Sequence, residues 1–512
     1  MTLNRREFLL KAAALSGAGA LFMMPPDLRA LASTGAAGTT GRAGGMARPV
    51  ILPDARKVDS RLGIDSCIWN WRSDADPNGA RPANYYEASL SEWPSFASLP
   101  GDLTCDVVVV GGGLLGASTA LHLAEAGVDV VLVEKDNLGS AASGRNGGQM
   151  TPGLARWKAS AVAESLPPDE AKRLWRFVSV EAMELVDQIA ARYDLDCDRK
   201  RGHVTAAILS AHMGALVADA DARRALGDGN VSIVGPNELQ EYVRSDNYRG
   251  GAIDAIGGQI HPLALLRGLA FGLVELGGRV YEGTEVMSVK EAVDTTVVTT
   301  PFGRIKARRA VVLAVHASTF RFVPGHSTTL PFFTYVGVTP PLPTDLRDLM
   351  PADLPVYDTQ LQIDYYRAVR NNRLLFGGEG TGSSWSVKEV NRYLRKRINA
   401  VFPQLANPEL EYAWGGVCDM TLHGAADCRR SGGKVPVYMV HGWSGHGVAQ
   451  TVRIGKAISD DVTGRNDDFG MLTHIDHAEL PLGRHLAPVA IPLMKSALGV
   501  MSVLKPGSLI SF

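Results

Sequence analysis

The sequence predicts a mixed α/β fold built around a Rossmann-like dinucleotide-binding unit. Three observations predict it. An apolar run at 107–110 leads into glycines spaced G-x-G-x-x-G, then a stretch of helical composition, then a second apolar run that stops at Glu134. Many of the 55 glycines fall at the ends of short apolar runs, as tight strand-to-helix turns require. The 512 residues are 46% hydrophobic and 21% charged, a globular balance with material for a large core. The 52 basic and 53 acidic side chains leave a formal net charge of -1, so no charge excess points to nucleic acid.

Taken in order, the chain opens with an address. Arg5 and Arg6 precede an apolar run over 12–24, and small residues around Ala32 offer a cleavage site. This is the order of a secretory signal, and the paired arginines select its twin-arginine subclass. Ser16, Gly17 and Gly19 dilute the run and Pro25-Pro26 stops it, so it is short for a membrane span. The expectation is a signal at 1–32, read by the twin-arginine export machinery, with the mature protein in the periplasm. That route carries folded proteins, which suits a chain that captures its cofactor before export. Residues 33–100 read as a linker and N-terminal extension, flexible where Gly, Ala and Thr dominate.

The dinucleotide unit follows. Gly111 permits the tight turn, Gly113 lets backbone approach a pyrophosphate, and Gly116 lets the helix pack close to the strand. Leu114 and Leu115 begin that helix, whose free N–H groups and positive dipole end suit phosphate. Glu134, with Lys135 beside it, lies 18 residues after Gly116, where a carboxylate accepts hydrogen bonds from ribose hydroxyls. An acid there fits NAD or FAD and disfavours NADP. Next comes GSAASGRNGGQMTP at 139–152. Within it Ser143, Gly144, Arg145, Asn146, Gly147, Gly148 and Gln149 form a small-residue loop suited to wrap a second ligand segment with backbone N–H groups. The alternative is an ordinary mobile loop.

With this loop the sequence resembles the FAD-dependent oxidases and dehydrogenases related to D-amino-acid oxidase, most closely their γ-glutamylputrescine oxidase branch. Five stretches carry the resemblance in order: 84–113, 142–149, 257–286, 364–380 and 437–464. The third reads physically as a helix opened at His261-Pro262 and ended by Gly277-Gly278. The turn after the buried run 307–314 departs from the family's A-T/A-G-A pattern at Val315-His316. In the last stretch, a strand at 437–440 turns through GWSGHG into a helix from Val448, whose N-terminus suits the negative charge of reduced flavin.

The resemblance implies FAD, held without a covalent link, in an FAD-binding domain of 101–155, 251–330 and 415–466. An antiparallel-sheet substrate domain of 156–250 and 331–414 is interleaved with it, and 467–512 form a tail. It adds Val286, Gly415, Gly442, Ser444, Gly445, His446, Gly447 and Val448 to the cofactor contacts. The implied reaction oxidises the C–N bond of a small-molecule amine or amino acid by hydride transfer to flavin, and the imine then hydrolyses. His446, Tyr366 and Tyr335 are the catalytic candidates, although His446 has the alternative of orienting its loop. Tyr365, Arg367 and Trp414 are the substrate-binding candidates, against the alternative of a packed sheet surface. If 364–369 is a strand, Tyr365 and Tyr366 face opposite ways and only one lines a pocket.

Some relatives attach FAD through a cysteine. Met420 falls at that place here, with Cys418 two residues earlier on the same strand face. Others use a lysine near the flavin to activate oxygen, and the matching RLLFGGEG has none. That shifts weight from oxygen toward a membrane quinone as acceptor. The five cysteines are too scattered for a disulfide scaffold or structural zinc, and no metal site is expected. They read as free thiols, with a Cys418–Cys428 pair as the alternative in an oxidising compartment. The apolar tail at 485–512 offers a membrane-surface contact, or packs on the body. A flavin-binding protein without turnover is the rival from another class.

Overall fold

The computed structural model describes residues 84–504, except 92, 94, 324–327, 481 and 482. The export signal at 1–32, the linker to 83, Cys67 and the last eight residues lie outside the described residues.

Two sheets organise the chain. In the first, strands lie in the order Asp427–Arg430, Val437–His441, Gly303–Leu313, Leu103–Val110, Val130–Val133 and Arg279–Tyr281. Its central pairings are parallel, and Val107–Val110 lie between Gly303–Leu313 and Val130–Val133. Both faces of the Leu103–Val110 strand are covered there, which is why its second half is all valine. Ser288–Glu291 and Thr296–Thr300 add an antiparallel ribbon.

The second sheet runs Tyr412–Met420, Leu330–Val338, Arg373–Thr381, Asp364–Val369, Val356–Asp358, Lys200–Ala206, Gly251–Gln259 and Gln149–Met150, with Val231–Val234 also on Gly251–Gln259. It is antiparallel except where Val356–Asp358 lies parallel to Lys200–Ala206. Three of its strands correct the expected boundaries. Gln149–Met150, Gly251–Gln259 and the first part of the 415–466 segment pair into this sheet, not the cofactor sheet. The chain crosses between sheets within these segments, so the division falls near 260 and 420.

The local signals act as their chemistry requires. The helix after the glycine turn spans Leu114–Glu125, and Gly127 leaves it at φ +74°. His261 caps the helix Pro262–Glu275, its Nδ1 accepting from Ala264 N at 3.1 Å, and Gly277 ends it at φ +85°. The largest apolar cluster runs from Val107 and Val109 through these helices to Val336, Leu375 and Trp414 of the second sheet. A second core packs the helix Val387–Val401 on the far face of that sheet through Val390, Leu394 and Ile398.

The tail forms a helix, Gly483–Leu504, on the second sheet. Ala487 and Ile491 pack against Leu330 and Met420. Lys495 pairs with Glu379 and donates to Gly380 O at 2.9 Å. No helix among the described residues is long and apolar enough to cross a membrane. Cys105, Cys197, Cys418 and Cys428 are free thiols, so Cys418 and Cys428 are not bonded.

Candidate functional site

An elongated cleft runs along the carboxyl ends of the first sheet's parallel strands, with an empty volume of about 1230 Å³ including its mouth. Gly111, Gly113, Leu114 and Leu115 line it where the helix begins. Gly111 has φ +107°, and a Cβ there would sit 2.4 Å from Ala314 O. At Gly116 a Cβ would meet Gly111 O at 1.9 Å, so the helix packs against the turn at a distance only glycine allows. Gly113 is the N-cap and has no capping side chain of its own. Ser143 Oγ supplies the cap from the neighbouring loop, accepting from Leu114 N at 2.9 Å.

Glu134 and Lys135 line one end of the cleft. Glu134 Oε2 accepts from Gly112 N at 2.6 Å and Oε1 from Asp136 N at 2.9 Å. Each oxygen keeps a second acceptor direction for a sugar hydroxyl. Burial raises the carboxyl's pKa, against these two backbone donors. At the other end stand Cys418, Trp443, Gly445, Gly447 and Val448, where the helix Gly447–Thr463 begins. Val286 closes a side wall. Two helix N-termini thus open onto one cleft that has a carboxylate at one end. That set fits a dinucleotide with a central pyrophosphate and a ring that gains negative charge.

The small-residue loop divides into two roles. Ser143 and Asn146 line the cleft. Asn146 also holds the turn, donating to Ala142 O and Ser143 O and accepting from Gly148 N at 2.8 Å. The other members do not line it, which corrects the expectation for them. Gly144 is glycine because a Cβ would meet Gly139 O at 2.2 Å. Gly147 lies under the Tyr365 ring, and Gly148 under Ile260 O and Arg367. Arg145 is a strut: its Nε donates to Gly415 O at 2.9 Å, and Trp414 Nε1 donates to Arg145 O at 2.9 Å. Gln149 donates to Val356 O and meets His203 at 3.2 Å, inside the second sheet.

The catalytic and substrate candidates change most. Tyr335 is fully buried, and its hydroxyl is engaged with Thr381, Ser383 O and Trp385 N. Tyr366 is fully buried with its hydroxyl on Tyr248 at 2.8 Å. Both belong to the second core, and neither lines the cleft. Tyr365 faces the other way, as alternation requires, and packs toward the first core. Arg367 is 1% exposed and binds Gly147 O, Ile260 O, Tyr86 and Asp198, so it clamps the loop and is not left for substrate. Trp414 is equally buried, with its indole N–H taken by Arg145 O.

Around GWSGHG, Gly442 at φ +84° and Ser444 at φ +53° make the turn. Ser444 N donates to Asp419 O at 2.9 Å and its Oγ accepts from Thr421 N at 3.2 Å. Gly442 and Ser444 shape the loop without lining the cleft. His446 points away from the cleft into a smaller polar cavity, whose walls include Lys158, Thr205, Asp219, Asp254 and Tyr357. Its Nδ1 lies 3.2 Å from Gly153 O, so Nδ1 carries the hydrogen and Nε2 is the free acceptor. Burial lowers its pKa to about 4, that of Lys158 to about 8, and raises that of Asp219. The 442–447 loop therefore separates two cavities, and the smaller one draws walls from 156–250 and 331–414, through residues the sequence did not single out. His316 and Asp419 were also missed. The departure at Val315-His316 was the signal, and His316 lines the main cleft.

The profile of the FAD dependent oxidoreductase (DAO) family matches residues 106–460. Gamma-glutamylputrescine oxidoreductase of Escherichia coli (strain K12) is 33% identical over 406 residues, covering 79% of this chain and 94% of the relative. Probable oxidoreductase OrdL of Haemophilus influenzae is 31% identical over 415 residues, covering 80% and 94%. Among solved structures, glycine oxidase from Geobacillus kaustophilus superposes with a TM-score of 0.60 at 21% identity, over 73% of this chain and 99% of that one. L-proline dehydrogenase from P. horikoshii gives 0.61 at 19% identity, over 73% and 96%.

Proposed function

Because this chain belongs to the family of FAD dependent oxidoreductases, we propose that it is an exported enzyme that oxidises the C–N bond of an amine or amino acid. That it is an FAD-binding amine or amino-acid oxidoreductase follows from the family. The export, the hydride route and the roles below are our reading. The observation that carries it is the cleft at the carboxyl ends of the parallel strands, onto which two helix N-termini open and which Glu134 lines at one end.

Bound FAD would supply a two-electron acceptor for the C–H bond beside nitrogen, and the imine would hydrolyse in water. The Leu114 helix N-terminus, Glu134 and the Gly447 helix N-terminus would hold it, without a covalent link. Cys418 reaches the cleft, but burial pushes its thiol up to about 12, and a protonated thiol is a poor nucleophile. His446, kept neutral by burial, orients the 442–447 loop through its Nδ1 contact with Gly153 O at 3.2 Å. Similarity to the gamma-glutamylputrescine oxidoreductase of Escherichia coli makes gamma-glutamylputrescine the first compound to try. Arg5-Arg6 and the apolar run after them support twin-arginine export to the periplasm.

A second reading concerns the acceptor. The tail helix exposes Val489, Leu493, Met501 and Leu504, spaced along one stripe. An uncharged apolar stripe on an amphipathic helix suits the membrane interface, and with it a quinone in place of oxygen. A visible spectrum of the purified protein, taken during anaerobic addition of an amine panel, tests the reading. Bleaching of the flavin bands by an amine supports it. Return of the bands on admitting air assigns oxygen, and their return only with a quinone assigns the second reading. A yellow protein that no amine bleaches sinks the catalytic reading and favours a flavin-binding protein without turnover.

A further inference from the structure

Four side chains at the cleft wall form a chain of alternating imidazole and carboxylate. His316 begins the short turn His316–Arg321, directly after the strand Gly303–Leu313. Its φ is +48°, a left-handed conformation that a non-glycine residue keeps only where its surroundings hold it. The ring lines the cleft, and Nε2 lies 2.8 Å from Asp419 Oδ1. Asp419 is 1% exposed, and its Oδ2 lies 3.5 Å from His441 Nδ1. His441 Nε2 then lies 3.6 Å from Asp427 Oδ2. Arg429 forks onto Asp427 with both contacts at 2.9 Å, and Thr328 donates to the same carboxylate at 2.6 Å.

The charges balance in a telling way. Asp419 and Asp427 bring two negative charges; Arg429 and protonated His441 bring two positive ones. Burial lowers the pKa of His441, but Asp419 and Asp427 outweigh it and raise it to about 9. The set is neutral while His316 is uncharged. His316 Nε2 approaches the buried Asp419 carboxylate as a close charge contact, and Asp419 has no hydrogen-bond donor among the described residues. The strands packed on the turn, Tyr412–Met420 and Val437–His441, carry Tyr412, Cys418, Asp419, Tyr438 and His441 as titratable groups. The turn itself carries Arg321, paired with Glu285 at 2.7 Å. Among these only Asp419 forms a charge contact with the His316 ring.

We propose that His316 is the group that takes up a proton when FAD in this cleft is reduced, with Asp419 as its positioning residue. Two electrons from the substrate add negative charge in the cleft that the His316 imidazole lines. The imidazole then takes one proton from water and becomes imidazolium, its new charge facing the Asp419 carboxylate, and hydroxide is left to the solvent. On reoxidation the proton returns. The proposal rests on FAD occupying the cleft, and not on which amine is the substrate.

Dye-mediated reductive titration of the holoprotein, from about pH 5.5 to 9, reads the flavin midpoint potential directly and uses no amine. One extra proton per two electrons changes the equilibrium tenfold per pH unit, which is about 30 mV. The wild type is expected to show a pH interval whose slope is steeper by that amount than in His316→Asn. Asp419→Asn should keep the interval but move it to lower pH, because a negative charge that favours imidazolium is gone. Equal slopes in wild type and His316→Asn would overturn the proposal, and so would weaker FAD binding with no change of slope. If these variants do not fold, reduced-minus-oxidised infrared spectra of the wild type with ring-labelled histidine test the same claim. Conversion of an imidazole band to an imidazolium band supports it, and silent histidine bands overturn it. Failure of every amine to bleach the flavin would touch only the proposed substrate class.

Discussion

Replacing Arg367 by Met separates a clamp from a substrate contact. The guanidinium is 1% exposed and binds Gly147 O at 3.0 Å, Ile260 O at 3.1 Å and the Tyr86 hydroxyl at 3.3 Å, with Asp198 at 3.5 Å. Methionine fills similar space but donates nothing. Two buried carbonyls then lose their donors, at about 1–3 kcal/mol each. Relief of the buried cation's desolvation offsets part of this. The expected net loss is about 3 kcal/mol, roughly a hundredfold in the folded-to-unfolded ratio. Gly147 and Gly148 belong to the loop that also carries Ser143 and Asn146, so FAD should dissociate about tenfold more readily. Denaturant melts of the holoprotein read the first effect, and flavin fluorescence on dilution reads the second. The KM for amine, measured at saturating FAD, should move less than about threefold. Normal stability and FAD affinity with a KM raised a hundredfold would refute the clamp and restore the substrate role.

Other expectations follow the same logic. Gly116→Ala puts a methyl 1.9 Å from Gly111 O, so the helix must shift, and the purified protein should lose most of its yellow colour while keeping its far-ultraviolet circular dichroism. Tyr366→Phe leaves the buried Tyr248 hydroxyl without a partner, costs about 1–2 kcal/mol in a melt and leaves kcat unchanged; a hundredfold fall in kcat would return Tyr366 to the catalytic set. Stability should peak near pH 6.5. His441, raised to about 9, contributes fully below its ordinary 6.5, and that contribution, about 3 kcal/mol, is lost as pH rises from 6.5 through 9. His203 and His446, lowered by burial to about 3 and about 4, act in the opposite sense, their contribution present above 6.5 and lost as pH falls below it. Chemical melts across pH check both limbs, and His441→Gln should flatten the alkaline one. Leu493→Ser together with Met501→Ser should abolish co-sedimentation with lipid vesicles while leaving the flavin spectrum unchanged.

Much of the cofactor cleft was legible because its residues are consecutive. Gly111, Gly113 and Gly116 act within one turn, and the close approach each must tolerate is set by chain neighbours and by the adjoining strand. The 142–149 loop was legible as a special segment but not in its parts. Gly147 and Gly148 are small because Tyr365 and Arg367 press on them from more than two hundred residues away, and no local pattern reports that pressure. Tyr335 and Tyr366 misled for a related reason. A tyrosine on a strand reads the same whether its hydroxyl faces a ligand or a partner such as Thr381 or Tyr248.

The strand–turn–helix that cradles phosphate, the acid at its far end, the two-sheet division in outline and the family were all readable from the order of residues. These depend on backbone geometry and on periodicity, which neighbours in the chain encode. Which face of each strand meets the cleft emerged from the packed fold. It alone put His446 on the opposite side of its loop, brought Lys495 to the lysine-free stretch around Glu379, and set His316 against Asp419 across 103 residues. Such pairings depend on how two sheets pack and where the chain crosses between them. Energies of contact between distant residues settle that, and a linear pattern does not carry them.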